Sequence, residues 1–103
     1  MFDLTYLGNA CFAVETEDAA VLVDPFISEN PECPYSVSEA AGLAEFDAVC
    51  VTHLAGDHVG DCLELSTEHD LPVVTEPATF EYLTRSGVPE ERVVRMVWGQ
   101  EAR

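Results

Sequence analysis

The segment Asp47–Asp61, D-A-V-C-V-T-H-L-A-G-D-H-V-G-D, joins a short apolar run to a cluster of polar side chains. Its apolar residues predict a buried β-strand over Ala48–Thr52, and the glycine-containing stretch that follows predicts a loop. His53, Asp57 and His58 stand in this loop, so two of the chain's three histidines lie within six residues. Imidazole nitrogens and carboxylate oxygens are common ligands of zinc and related ions, and a strand end can present them together. The segment therefore predicts a metal site, although two incidental histidines beside a solvated aspartate would give the same pattern.

The composition is that of a small folded chain with an unusual charge. The chain has 103 residues, 48% of them hydrophobic, which predicts one domain over residues 1–103. It carries 20 acidic residues against four arginines and no lysine, for a formal net charge of −16. A surface this negative repels phosphate backbones, so we expect no nucleic-acid partner. Because the acidic residues are scattered along the chain, they suggest a protein adapted to high salt, where counterions screen their repulsion.

The chain shows no sequence signal for membranes or secretion. No apolar stretch approaches the roughly 20 residues that span a bilayer, and the N-terminus lacks the basic start and apolar core of a signal peptide. We therefore expect a cytoplasmic protein without a membrane partner. Cys11 and Cys50 lie in apolar runs and are expected to be buried, reduced thiols, while Cys62 follows the histidines closely and is a weaker candidate ligand.

The pattern of apolar residues predicts an antiparallel meander followed by alternating strands and helices. The alternation in Phe2–Leu7 predicts a half-buried strand, and the continuous run Ala19–Val23 predicts a strand buried on both faces. Further predicted elements are strands over 10–16, 71–75 and 92–98, and helices over 36–45, 61–68 and 77–87. This order predicts an α/β (α+β) fold with a mixed sheet that is antiparallel at its start. The last strand would leave an open sheet edge, which predicts self-association through that edge.

Three segments, taken in order, resemble the metallo-β-lactamase superfamily. They read T-Y-L-G-N-A-C-F from Thr5, V-L-V-D-P-F from Val21, and V-T-H with D-H and G-D over residues 51–61. The branch they resemble is the metal-dependent hydrolases similar to ascorbate-6-phosphate lactonase. The resemblance runs over nearly the whole chain and implies the N-terminal half of a four-layer α/β/β/α sandwich, a single truncated domain. It also implies hydrolysis of an ester, lactone or phosphoester in a small-molecule substrate, by water activated on a divalent metal ion, zinc or manganese.

The resemblance also implies roles for residues of the loop. The family loop reads T-H-x-H-x-D-H, so His53, Asp57 and His58 correspond to metal ligands. Asp57 is in addition the candidate catalytic residue, which would bind the metal or steer the attacking water. Ala55 stands at the second histidine of the pattern and has no donor atom, and Asn9 stands where the branch has a histidine. In the family these ligands are divided between two metals, so the resemblance implies weak metal binding by this chain.

Asp24 and the overall function each have more than one interpretation. Asp24 corresponds to a strand-end aspartate that would orient a histidine from outside the ligand set, whereas an Asp-Pro turn that ends the strand explains it equally well. Thr52 and Asp61 are expected to form structural hydrogen bonds. Besides a hydrolase, the chain could be a non-catalytic half-domain that serves as a binding or assembly module. It could also be an unrelated small α/β protein with an incidental His-Asp-His cluster.

Overall fold

The computed structural model describes residues 1–102, which form one six-stranded sheet with helices packed against it. The strands are β1 (Phe2–Gly8), β2 (Cys11–Thr16), β3 (Ala20–Val23), β4 (Ala48–Val51), β5 (Val73–Thr75) and β6 (Val93–Arg95). The helices are α1 (Val37–Ala41), α2 (Gly56–Val59), α3 (Cys62–Glu68) and α4 (Pro77–Arg85), with a 3-10 turn at Glu90–Arg92.

The order of the strands in the sheet is their order in the sequence. β1, β2 and β3 pair antiparallel, and β3, β4, β5 and β6 pair parallel. Helices connect the parallel strands, because a parallel pair requires a crossover connection rather than a tight hairpin. The predicted mixed sheet with an antiparallel start is confirmed, and it matches the fold that the resemblance implies. No helix within residues 1–102 is long and apolar enough to cross a membrane.

One face of the sheet forms the core with the helices. A row of residues in register across five strands lies on this face: Ala13, Leu22, Val49, Val73 and Val93. Each of these side chains is buried, and they pack in one cluster with Cys62 and Leu65 of α3 and Leu83 of α4. The helices thus cover one face only, as expected for a two-layer arrangement.

Nothing within residues 1–102 forms a layer on the other face of the sheet, and we call it the open face. It comprises Phe2, Leu4, Tyr6, Phe12, Val14, Thr16, Val21, Val23, Ala48, Cys50, Val74 and Val94, which follow one another in register. The expectation that β1 is half-buried is therefore wrong, since Leu4 and Tyr6 remain 56% and 57% exposed. β3 is not buried on both faces either, and Cys50 is only partly buried, because their outward side chains lie on this uncovered surface.

Several predicted boundaries shift for local reasons. The helix that begins with the Ser36 and Glu39 capping box ends at Ala41, since Gly42 terminates it well before residue 45. Strand β6 ends at Arg95 rather than 98, because β5 ends where Pro77 begins α4 and leaves the following residues without a strand to pair with. The short helix α2 was not predicted at all. It lies in the segment that the sequence indicates as a loop.

Candidate metal centre

The candidate residues gather at the carboxyl ends of two neighbouring parallel strands. Asp24 follows β3 directly, and Thr52 and His53 follow β4. The register pairs Val23 with Cys50, so the chain leaves both strands at the same edge of the sheet. This edge is the usual place for functional side chains in sheets with parallel strands, because the connecting loops there are free to vary.

Asp24 is the buried centre of the arrangement. Its side chain is 2% exposed, and its carboxylate accepts hydrogen bonds from the Thr52 backbone N–H and the Thr52 hydroxyl, both at 2.7 Å. The same carboxylate lies 2.8 Å from Nδ1 of His58. Asp24 adopts a φ of 46°, a left-handed conformation that aspartate tolerates better than most residues. One carboxylate thus joins β3, β4 and the histidine loop. Its contact with His58 is the geometry that an orienting role requires, and the turn after β3 is present as well.

These hydrogen bonds fix which nitrogen of each neutral histidine ring carries its proton. The Thr52 hydroxyl donates its single proton to Asp24, so its oxygen can only accept from Nδ1 of His53, 3.0 Å away. His58 likewise donates from Nδ1 when the Asp24 carboxylate is its acceptor. Both rings then present the lone pair of Nε2, the atom that can bind a metal ion. The two rings lie in contact, with centroids 4.1 Å apart.

Asp57 stands beside His58 on the solvent side. One of its carboxylate oxygens is 3.8 Å from Nε2 of His58, and its side chain is 53% exposed. The Asn9 side-chain amide donates to the Asp57 carboxylate at 3.2 Å and also lies 3.3 Å from its backbone oxygen. The hydrogen bond from Asn9 lowers the pKa of Asp57, with a smaller contribution from the neighbouring histidines. Asn9 can take this position because it occupies the left-handed turn between β1 and β2, with a φ of 55°.

The far end of the loop is fastened by Gly60 and Asp61. The Asp61 carboxylate accepts from the backbone N–H groups of Ile27 and Ser28, both at 2.8 Å, and its own N–H donates to the Pro25 carbonyl at 2.9 Å. Gly60 has a φ of 43°, and a side-chain carbon there would lie 2.4 Å from the Pro25 carbonyl oxygen. Only glycine allows this approach. The structural role expected for Asp61 thus has specific partners, which link the histidine loop to the segment after β3.

The donor set does not reach what a catalytic metal site uses. Ala55, where the pattern of the family has a histidine, is the N-cap of α2 and contributes only a methyl group. Among residues 1–102, no group of three or more histidine, cysteine, aspartate or glutamate side chains is arranged to hold a metal ion. The chemical types of His53, Asp57 and His58 fit zinc or manganese, but their number falls short of three ligands on one ion. They stay predicted ligands.

Cys62 does not extend the donor set. Its side chain is fully buried in the core on α3, and burial raises the pKa of its thiol to about 12. A metal ligand must be the thiolate, and a buried neutral thiol behaves as a small apolar side chain. Cys11 is equally buried, and its thiol pKa is also raised to about 12 by burial. Both cysteines are parts of the core rather than ligands.

A large apolar groove opens beside the histidines. It has a volume of about 810 Å³ and runs from Thr52 and His53 past the start of α4 to Val97 and Trp98. Trp98 is fully exposed on its wall, and Val97 is 50% exposed. A groove of this size can accept a small organic molecule next to the imidazole of His53.

Comparison with known proteins identifies the family. The family model of the metallo-beta-lactamase superfamily matches residues 4–98. A UPF0173 metal-dependent hydrolase of Methanobrevibacter smithii is 34% identical over 87 residues, which are 84% of this chain and 35% of that protein. A UPF0173 metal-dependent hydrolase of Brucella canis is also 34% identical, over 82% of this chain and 35% of that protein. The chain thus spans about a third of the length of the curated relatives it matches.

Solved structures agree with this assignment. Igni18, a metallo hydrolase from Ignicoccus hospitalis, superposes with a TM-score of 0.85 and 26% identity, over 99% of this chain and 42% of that protein. A protein of Veillonella parvula described as a possible metal-dependent hydrolase superposes with a TM-score of 0.73 at 23% identity, over 95% of this chain and 43% of its own, and supports the fold alone. An unrelated small α/β protein with an incidental cluster is thereby excluded. The chain belongs to the metallo-β-lactamase superfamily.

Proposed function

We propose that this chain is a metal-dependent hydrolase that cleaves an ester, lactone or phosphoester bond in a small-molecule substrate, similar in chemistry to the lactonase-like branch. The observation that carries the proposal is the contact between His53 and His58, whose hydrogen bonds leave both Nε2 atoms free beside the Asp57 carboxylate. A histidine that binds metal through one ring nitrogen usually donates a hydrogen bond from the other, as His58 does to Asp24. A bound zinc or manganese ion would supply a lowered pKa for coordinated water and polarisation of the scissile bond.

The residues of this chain have separate tasks in the proposed reaction. His53 and His58 would hold the ion through Nε2, and Asp24 keeps His58 in place through Nδ1. Asp57 is a carboxylate at neutral pH, and the hydrogen bond from Asn9 lowers its pKa further, so it would bind the ion or accept a hydrogen bond from the attacking water. The lowered pKa makes Asp57 a weak base, so it positions the water rather than taking up its proton. The apolar groove beside His53 would receive the carbon skeleton of the substrate.

A non-catalytic binding or assembly module is the second candidate. The observation that favours it is Ala55, which leaves the described residues without three ligands for one ion. On this alternative the Asp24 hydrogen bonds are kept because they hold the fold together, and the histidines bind no metal.

Metal titration separates the two candidates. We expect calorimetry with zinc or manganese to show weak binding to one site on the 103-residue chain, lost in His53→Ala and His58→Ala. His69→Ala is the matched control, because His69 follows α3 outside the loop and should leave the affinity unchanged. Absence of binding by the unaltered chain would favour the non-catalytic module.

Restoring a donor at position 55 tests the assignment of the loop. We expect Ala55→His to raise the metal affinity at least about tenfold, since a third imidazole would complete a site that now has too few ligands. Leu54→His is the control: this neighbour is exposed and adds the same donor one position away, so it should change the affinity little. Equal effects of the two substitutions would contradict the placement of Ala55 within the site.

We also propose that the protein works at high salt in the cytoplasm. The net charge of −16 with no lysine supports the first, since self-repulsion among the carboxylates weakens as counterions screen it. The four free cysteines support the second, because reduced thiols persist in reducing compartments. We expect the melting temperature to rise steadily up to molar potassium chloride. A melting temperature that does not change with salt would argue against the adaptation.

A further inference from the structure

The two oxygens of the Asp57 carboxylate have different surroundings. Oδ2 accepts a hydrogen bond from the Asn9 side-chain amide at 3.2 Å, whereas Oδ1 lies 3.8 Å from Nε2 of His58. Within residues 1–102, no other side chain donates a hydrogen bond to this carboxylate. One oxygen of Asp57 is thus occupied by an amide, and the other lies beside the ring nitrogen that His58 presents for a metal ion.

The local structure around Asp57 does little to keep its carboxylate in this place. The side chain is 53% exposed, and exposed side chains exchange between rotamers within nanoseconds. The helix α2 that carries it is four residues long, and its N-cap, Ala55, makes no side-chain capping hydrogen bond. The position of the carboxylate therefore depends on a group outside the helix.

The turn between β1 and β2, which carries Asn9, is fixed on several sides. The Tyr6 hydroxyl donates to the backbone carbonyl of Asn9 at 2.7 Å. The Asn30 side chain donates to the Leu7 carbonyl at 3.4 Å, and a side-chain carbon at Gly8 would lie 2.9 Å from the same amide nitrogen. This close packing makes the turn a rigid base for the Asn9 side chain.

We propose that Asn9 is a positioning residue of the site: its amide holds the Asp57 carboxylate in one rotamer, with Oδ1 towards His58 and Oδ2 occupied. The inference rests on the proposed function, in which Asp57 binds the ion or orients the attacking water. Carboxylates that bind metal are themselves hydrogen-bonded, and the loss of such a partner weakens metal binding. Asn9 contacts neither substrate nor ion on this proposal and acts through Asp57 alone.

The backbone of the turn offers a second explanation for Asn9. Asparagine tolerates a left-handed conformation better than most residues, and Asn9 has a φ of 55°. Glycine also adopts this conformation, so Asn9→Gly keeps the turn and removes only the side chain with its amide. Ala10→Gly is the matched control, because it adds a glycine to the same turn and leaves the amide in place.

The rotamer of Asp57 in the metal-free protein tests the positioning directly. Three-bond scalar couplings measured by NMR should show one χ1 rotamer in the unaltered chain and in Ala10→Gly. In Asn9→Gly they should show averaging among rotamers, because the amide that holds the exposed carboxylate is gone. A single rotamer in Asn9→Gly, or averaging in the unaltered chain, would overturn the proposal. The measurement needs no metal, so it does not depend on the proposed function.

A double-mutant cycle tests whether Asn9 acts through Asp57. Zinc titration followed by the ring NMR signals of the histidines measures weak affinities. We expect Asn9→Gly to weaken zinc binding about fivefold to tenfold and Ala10→Gly to change it less than about twofold. In the Asp57→Ala background, Asn9→Gly should change the affinity less than about twofold, because the residue through which it acts is gone.

The outcomes separate this inference from the function on which it rests. An equal loss of affinity on Asn9→Gly in both backgrounds would show that the turn itself matters and would overturn the positioning role. Absence of zinc binding by the unaltered chain, with rotamer averaging of Asp57 only in Asn9→Gly, would contradict the proposed function and still support the hold of Asn9 on Asp57.

Discussion

Asp24 and Asp61 fasten the two ends of the histidine loop with several hydrogen bonds each. In contrast, several positions where the family has a metal ligand carry a side chain that does not bind metal. The two aspartates that fasten the loop both have hydrogen-bond partners, and Gly60 allows the close approach of the loop to the Pro25 carbonyl. The donor positions include Ala55, which has no donor atom, and Asn9, whose amide is used on Asp57. This difference indicates that the conformation of the loop and its ability to bind metal depend on different side chains. Either can therefore be removed without the other.

The largest expected effect is on the fastening side. We expect Gly60→Ala to lower the free energy of unfolding by at least about 3 kcal/mol, because the new methyl group would overlap backbone atoms of Pro25 and Phe26 and the left-handed φ is strained for alanine. Gly56→Ala is the matched control, as a methyl group there meets nothing within 4 Å and alanine favours the helix. Urea denaturation measures both. Comparable losses in the two variants would show that Gly60 is not specially constrained.

A pair of aspartate substitutions separates the effect on loop stability from the effect on metal binding. Asp61→Ala should lower the free energy of unfolding by about 2–3 kcal/mol, because it leaves two backbone N–H groups of the preceding loop without their charged acceptor. Asp57→Ala should change stability by less than about 0.5 kcal/mol, since its side chain is exposed, but should weaken metal binding. Denaturation and metal titration of each variant give the two readings. A loss of metal binding without a loss of stability in Asp61→Ala would reverse the assignment.

The smallest effect at neutral pH concerns the buried thiols next to the loop. We expect a thiol reagent at about pH 8 to label Cys33 but not Cys11 or Cys62, because a thiol with a pKa of about 12 has on the order of one part in ten thousand thiolate there. If Cys62 were a donor to metal instead of a core residue, it would be labelled rapidly, and added zinc would protect it.

The same thiols predict loss of stability at alkaline pH. In the unfolded chain they lose their protons near pH 9.0, whereas in the folded chain they keep them to about pH 12. The unfolded state therefore binds fewer protons across this range, and stability falls as the pH rises, by up to about 1.4 kcal/mol per unit for each thiol. The double variant Cys11→Ala and Cys62→Ala should flatten this dependence, and Cys33→Ala should not. An unchanged pH dependence in the double variant would exclude these thiols as its cause.

Most of the strand order could be predicted because alternation and turn residues are local properties. The Gly8 and Asn9 turn, the helix start at Pro77 and the strand that precedes Thr52 all appear where the sequence indicates them. Helix α2 could not be predicted, because its four residues make little more than one helical turn, too few for a repeating pattern, and include Gly56. The exposure of β1 was missed for a different reason. Alternation shows that one side of a strand is apolar, but not whether anything covers it.

The sequence by itself determined the family, the order of the strands, the negative charge and the types of donor near the loop, because each depends on which residues occur and in what order. Only the tertiary structure decided which donors are in contact. Asp24 reaches His58 across 34 positions and Asn9 reaches Asp57 across 48, and no local pattern reports contacts over such separations. The uncovered face was decided in the same way. Burial depends on which elements come to lie against a surface, and here the helices lie against only one side of the sheet.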